Sequence, residues 1–176
     1  MYIERALEPL VRRYSENFKI VAVTGPRQVG KTTMLKHLME EEAESGVDRV
    51  YVTLDNTAIL QTAKEDPALF LQRYRPPVLI DEIQKAPELL PYIKMIVDER
   101  DDCGSVWITG SQPLHLMKAV SESLAGRVGI VEMLGLSHSE VAGTPSEPYL
   151  PSADYFMRRV DTAKPFGVSE AYRQIC

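Results

Sequence analysis

The chain has 176 residues, 44% apolar and 26% charged, the balance of a soluble globular domain with room for one core. Its net charge of -5 gives no bulk attraction to nucleic acid or to an anionic membrane surface. Cys103 and Cys176 form neither a disulfide framework nor a metal-ligand spacing, and residues 1–5 lack the layout of a signal peptide. No apolar run approaches the ~20 residues of a membrane span, so a soluble cytoplasmic protein is expected.

In chain order, Leu7, Leu10, Val11 and Tyr14 fall at i, i+3, i+4 and i+7, which predicts an amphipathic first helix. Residues 18–23 are a short β-branched run stopped by Thr24-Gly25-Pro26, a buried strand ending in a turn. Met34, Leu35, Leu38 and Met39 restore helical spacing directly after the glycines. Residues 49–54 alternate toward a second strand, and Asp66-Pro67 is an N-cap with proline at the first helical position, opening a helix over 68–73. Pro76-Pro77 breaks that helix before a third strand at 78–80. Leu89, Ile93, Ile96 and Val97 make a further helix face, 106–108 a fourth strand, 113–123 a helix and 128–134 a fifth strand.

Strands that alternate with helices and are almost wholly apolar predict an α/β fold whose parallel sheet is covered on both faces. Ser137-His138-Ser139-Glu140 is a capping box that opens one more helix. Pro145, Pro148 and Pro151 then crowd into a linker, followed by a short helix expected at 155–160. The domain division expected is 1–142 for the main body and 143–176 for linker and the start of a C-terminal region.

Gly25-Pro26-Arg27-Gln28-Val29-Gly30-Lys31-Thr32 matches G-x-x-x-x-G-K-[ST] at every fixed position, between a strand and a helix. Glycine permits a backbone path that turns several N–H groups onto phosphate oxygens, and the helix that follows points its positive end at them. In this motif Lys31 reaches the β- and γ-phosphates and the Thr32 hydroxyl coordinates Mg²⁺, so ATP and Mg²⁺ are the ligands expected. Asp81-Glu82 closes a buried strand at the edge where ligands of such sheets bind. Asp81 suits the metal and Glu82 the polarising of an attacking water, although the same pair often merely opens a helix. Ile108-Thr109-Gly110-Ser111 closes the fourth strand, and either Thr109 or Ser111 is a candidate for reading a γ-phosphate. Arg127, before the fifth strand, is a candidate to stabilise γ-phosphate charge within its own subunit or across a homo-oligomeric interface. Arg27 faces solvent, a partner or the nucleotide, and Asp55 reaches the site or caps a turn. Trp107 is expected in the core.

Residues 25–33 (through Thr33), Leu79-Ile80-Asp81-Glu82-Ile83-Gln84, Ile108-Thr109-Gly110-Ser111 and Ser123-Leu124-Ala125-Gly126-Arg127, taken in this order, resemble the AAA-type ATPase family AAA_14. Tyr2-Ile3-Glu4-Arg5 and Leu136-Ser137-x-x-Glu140 fit it too, and the likeness spans about residues 1–142. The resemblance implies a three-layer P-loop NTPase fold with five parallel strands in the order 5-1-4-3-2. It also implies Lys31 and Thr32 on phosphate and magnesium, Asp81 on magnesium, Glu82 as base, Ser111 as sensor, and Arg127 in the catalytic set. Such proteins continue into a DUF4143 domain that resembles a restriction endonuclease, for which residues 143–176 are too few. The function expected is Mg²⁺-dependent ATP hydrolysis coupled to movement of an attached domain. The alternative is a nucleotide-gated switch that binds an unknown protein partner and hydrolyses little.

Overall fold

Side chains of a strand point alternately to its two faces, and that alternation divides the core here into two layers. The computed structural model describes residues 2–111 and 123–143, together with 157, 158 and 160. The chain divides into two compact units, Met1–Thr144 and Pro145–Cys176. In the second, Met157, Arg158 and Val160 are helical, and the rest of the helix expected at 155–160 lies outside the described residues, as does the body of the one expected at 113–123.

The first unit runs α1 (Glu8–Asn17), β1 (Ile20–Thr24), α2 (Lys31–Glu44), β2 (Val50–Thr53), α3 (Thr57–Glu65), α4 (Pro67–Arg73) and β3 (Val78–Asp81). It continues through a 3-10 turn (Ile83–Lys85), α5 (Leu89–Asp98), β4 (Val106–Gly110), β5 (Val128–Glu132) and α6 (His138–Val141). All five strands are parallel in the order β2-β3-β4-β1-β5, the expected 5-1-4-3-2 read from the other edge. Their register aligns Thr24 with Gly110 and Glu132, and Thr53 with Asp81, so the carboxyl ends of all five strands form one edge.

Ile20, Ala22, Val52, Val78, Ile80, Val106 and Ile108 face one side, against Ala63 and Leu60 of α3, Phe70 and Leu71 of α4, and Leu89, Ile93 and Val97 of α5. Val21, Val23, Leu79, Trp107 and Val131 face the other, against Val11 of α1 and Met34, Leu35 and Leu38 of α2. Trp107 is buried, with its indole N–H on Ser15 Oγ at 2.9 Å and the Arg49 guanidinium over its ring at 3.9 Å.

Nothing in the hydrophobic periodicity of the sequence announces α3. Its start signal is Asn56, whose side chain accepts from the N–H groups of Ala58 and Ile59 at 3.0 and 3.3 Å. Only one face of this nine-residue helix meets the core, too short a stretch for periodicity to declare itself. Among the described residues, no helix is long and apolar enough to cross a membrane.

Candidate functional site

The first strand ends at Thr24, and the chain must then reverse into α2 within six residues. Gly25 begins the reversal at φ +145°, and a Cβ there would lie 2.0 Å from the backbone oxygen of Met133. Glycine is therefore required by the close approach of the chain leaving β5, in addition to the turn itself. Gln28 (φ 63°) and Gly30 (φ 93°) complete a left-handed path. The first intrahelical bond of α2 is Met34 N–H to Gly30 O at 2.9 Å, so the N–H groups of Lys31, Thr32 and Thr33 have no carbonyl partner within the helix. They gather at the helix's positive end, a favourable place for an anion.

A cavity of about 460 Å³ opens there, lined from the loop by Arg27, Gln28, Gly30, Lys31, Thr32 and Thr33. Glu82, Asp55 and Lys85 line the rest. Arg27 thus borders the cavity, and Asp55 reaches it while its carboxylate pairs with Lys85. Gly25, Pro26 and Val29 are not among the lining residues. The carbonyls of Gly25 and Pro26 accept from Lys31 Nζ at 3.0 and 2.7 Å, and the Val29 carbonyl accepts from Arg5. Burial pushes the Lys31 ammonium below its ordinary pKa, against the opposing pull of the Glu82 and Asp81 carboxylates.

Below the loop, the Thr32 hydroxyl donates to Asp81 Oδ1 at 2.8 Å. The Thr109 hydroxyl donates to the same oxygen at 2.5 Å, and Tyr51 OH donates to Asp81 Oδ2 at 3.2 Å. Burial, with Asp81 next to it, pushes the Tyr51 phenol up to about 12. A hydroxyl and a carboxylate joined directly form a hard-oxygen donor pair of the kind Mg²⁺ takes together with water and phosphate oxygens.

Glu82 sits at φ 60°, ψ 44°, a left-handed conformation unusual for a residue with a side chain. Its N–H donates to Thr109 Oγ1 at 3.1 Å, and its carboxylate accepts from Ser111 Oγ at 2.9 Å and from the Gln84 amide. Gln84 also donates to Ser111 Oγ at 3.1 Å, while its own Oε1 is buried without a hydrogen-bond partner. The two sensor candidates therefore separate. Thr109 is fully buried and braces the acidic pair from behind, whereas Ser111 is half-buried and bound to the Glu82 carboxylate.

Arg127 is not brought to this site. It precedes β5, and its carbonyl accepts from Ile20 N–H at the start of β1, which puts it on the amino edge of the sheet. A five-residue strand, about 15 Å, separates that edge from the phosphate loop. Its guanidinium is committed to Asp98, with Nε to Oδ1 at 2.5 Å and Nη2 to Oδ2 at 2.9 Å. The structure therefore does not bring Arg127 together with the other candidate residues of its own subunit.

The sequence alone assigns no site role to Gln84, Lys85, Tyr51 or Arg5, and the last three are tied to the site by contacts between distant segments. Gln84 alone offered a local signal, two residues beyond Glu82. A separate cluster, Glu8, His37 and Glu41, brings potential metal ligands together, but the Arg12 guanidinium lies on both carboxylates, at 3.3 and 2.5 Å.

A glycine-bearing loop between β1 and α2, beside a strand-end acidic pair on a 5-1-4-3-2 sheet, has the architecture of an AAA-type P-loop NTPase domain. The family AAA_14, described as an AAA domain, matches residues 17–142, and the chain belongs to it. Two uncharacterized proteins, one of Mycobacterium bovis and one of Mycobacterium tuberculosis, are each 33% identical over 137 residues. That match covers 78% of this chain but only 30% of either relative's length. Among solved structures, a Walker-type ATPase of Pyrococcus abyssi is similar at TM-score 0.54 and 16% identity, over 93% of this chain and 60% of that one. AMPPCP-bound DnaA of Aquifex aeolicus is similar at TM-score 0.52 and 14% identity, over 96% and 57%. At such identities these likenesses speak for the fold alone.

Proposed function

We propose that the chain binds ATP with Mg²⁺ in this cavity and hydrolyses it. The observation that carries the reading is the direct hydrogen bond between Thr32 and Asp81 at the foot of the phosphate loop, with Glu82 adjoining it on the cavity wall. The N–H groups of residues 25–33 cradle the phosphates, and Lys31 exchanges the Gly25 and Pro26 carbonyls for the β- and γ-phosphates. Thr32 and Asp81 hold the metal, which when bound offsets charge on the phosphate oxygens. Glu82 accepts the proton of the attacking water as its oxygen bonds to the γ-phosphorus and the bond to the β-phosphate bridging oxygen breaks. Ser111 reads the γ-phosphate through the Glu82 carboxylate it already holds. Arg127 takes part only if it leaves Asp98 and meets the nucleotide of a second copy.

Residues 1–142 act as the ATPase part and residues 143–176 as the connection to a C-terminal domain that moves with the nucleotide state. Glu82→Gln retains ATP binding and lowers turnover at least about 100-fold, whereas Lys31→Ala weakens binding itself. Equal turnover in Glu82→Gln and the wild type removes Glu82 as the base. The engagement of Glu82 by both Ser111 and Gln84 favours a second reading, a switch that holds ATP and hydrolyses slowly. Single-turnover hydrolysis slower than exchange of a partner would support it.

A further inference from the structure

Arg5 stands on the short segment before α1, yet its side chain is only 6% exposed and joins three separate stretches of chain. Nη1 donates to Val29 O at 2.8 Å, Nη2 to Leu134 O at 2.8 Å and to Gly135 O at 3.3 Å, and Nε to Glu140 Oε1 at 3.0 Å. Glu140, 8% exposed, is held in turn by the Ala6 N–H on Oε1 at 2.9 Å and the Ser137 N–H on Oε2 at 2.6 Å. One planar guanidinium therefore links the phosphate loop, the chain leaving β5, and α6, the last helix of the first compact unit.

The contact with Val29 has a directional consequence. The Val29–Gly30 peptide is trans, so its carbonyl and its N–H point in opposite directions. The Val29 carbonyl points at Arg5, so the Gly30 N–H points away from Arg5, on a residue that lines the cavity. A buried ion pair is a poor source of stability compared with apolar packing of the same volume. What a forked, charged donor adds is a fixed direction for each acceptor, which a lysine's point charge does not.

We propose that Arg5 is a positioning residue for nucleotide binding. It aims the Gly30 N–H at the phosphates and, through Glu140, makes the order of α6 and the occupancy of the loop depend on each other. The proposal rests on the nucleotide-binding reading above. Coupling of this kind is reciprocal: whatever loosens α6 weakens the nucleotide, and the nucleotide tightens α6 by the same factor.

The test uses the full chain with Mg²⁺, a fluorescent ATP analogue, and amide hydrogen exchange. Arg5→Lys keeps the charge and loses the fork, while Glu140→Gln keeps the shape and loses the charge. Each variant, assayed where circular dichroism shows it fully folded, is expected to bind the analogue about tenfold more weakly than wild type. In the wild type, saturating ATP slows exchange at residues 140–142 several-fold, and Arg5→Lys loses that effect. A strut with a merely structural role would lower the melting temperature and leave the affinity alone. Affinities within twofold of wild type in a folded variant, or unchanged exchange at 140–142 in the ATP-bound wild type, overturn the proposal. If neither variant folds, the wild-type exchange decides it. A wild type that binds no ATP overturns the nucleotide reading and this one with it, whereas a binding wild type with unaltered variants overturns this one alone.

Discussion

Thr109→Val replaces the hydroxyl behind the acidic pair with a methyl group of nearly the same size. The side chain is 0% exposed, so no water reaches the hydroxyl itself. The hydroxyl makes two bonds, donating to Asp81 Oδ1 at 2.5 Å and accepting from Glu82 N–H at 3.1 Å. Losing a hydrogen bond to a charged group costs about 1.5–3 kcal/mol, and orphaning a buried N–H costs about 1–3 kcal/mol. The added methyl returns about 0.8 kcal/mol of apolar burial. Asp81 keeps Thr32 at 2.8 Å and Tyr51 at 3.2 Å, so the carboxylate stays paired. The net loss is about 2–5 kcal/mol, which at about 2–4 °C per kcal/mol for a domain of this size lowers the melting temperature by roughly 4–20 °C. Thermal melts at pH 7 measure this, with Thr109→Ser, which retains the hydroxyl, as the control. If Thr109→Val melts within about 2 °C of wild type, or matches Thr109→Ser, the brace assigned to this hydroxyl does not exist.

Gly25→Ala places a Cβ 2.0 Å from Met133 O at a φ of +145°, so urea denaturation should show a loss of at least about 3 kcal/mol; a mild effect would mean that the loop and the β5 exit separate freely. Burial alone would raise the Glu140 carboxyl, but the N–H groups of Ser137 and Ala6 and the Arg5 guanidinium outweigh it and hold it at about 2, below the ordinary 4.5. Because the folded value is depressed, the ionised carboxylate contributes on the order of 3 kcal/mol above pH ~4.5, lost as pH falls from there toward 2. The stability gap between wild type and Glu140→Gln should therefore narrow across that window in urea titrations, and a gap independent of pH would contradict the depressed carboxyl.

The phosphate loop was legible because its constraints are local: glycines at fixed positions, a lysine and a threonine at the head of a helix. The strands were legible because burial on both faces leaves few polar residues in them. Contacts that cross the chain were not legible. Arg5 meets Glu140 across 135 positions, and no periodicity or spacing rule joins them. Thr109 and Ser111 stand two residues apart at the end of β4, and only the folded chain shows that one is fully buried and the other half-buried against the Glu82 carboxylate. Arg127 is a different case. In a parallel sheet, a residue just before a strand lies at the opposite edge from the loops that follow strands, so its distance from the phosphates was implicit in its position before Val128.

The left-handed backbone of Glu82 sets stability and the proposed chemistry against each other at a single position. A side chain in that conformation costs about 1–2 kcal/mol, a penalty glycine escapes and asparagine softens. A mutant library screened only for survival of heating would therefore tend to accumulate Glu82→Gly and Glu82→Asn. On the proposed mechanism, its winners would be sturdier proteins that hold ATP and no longer cleave it.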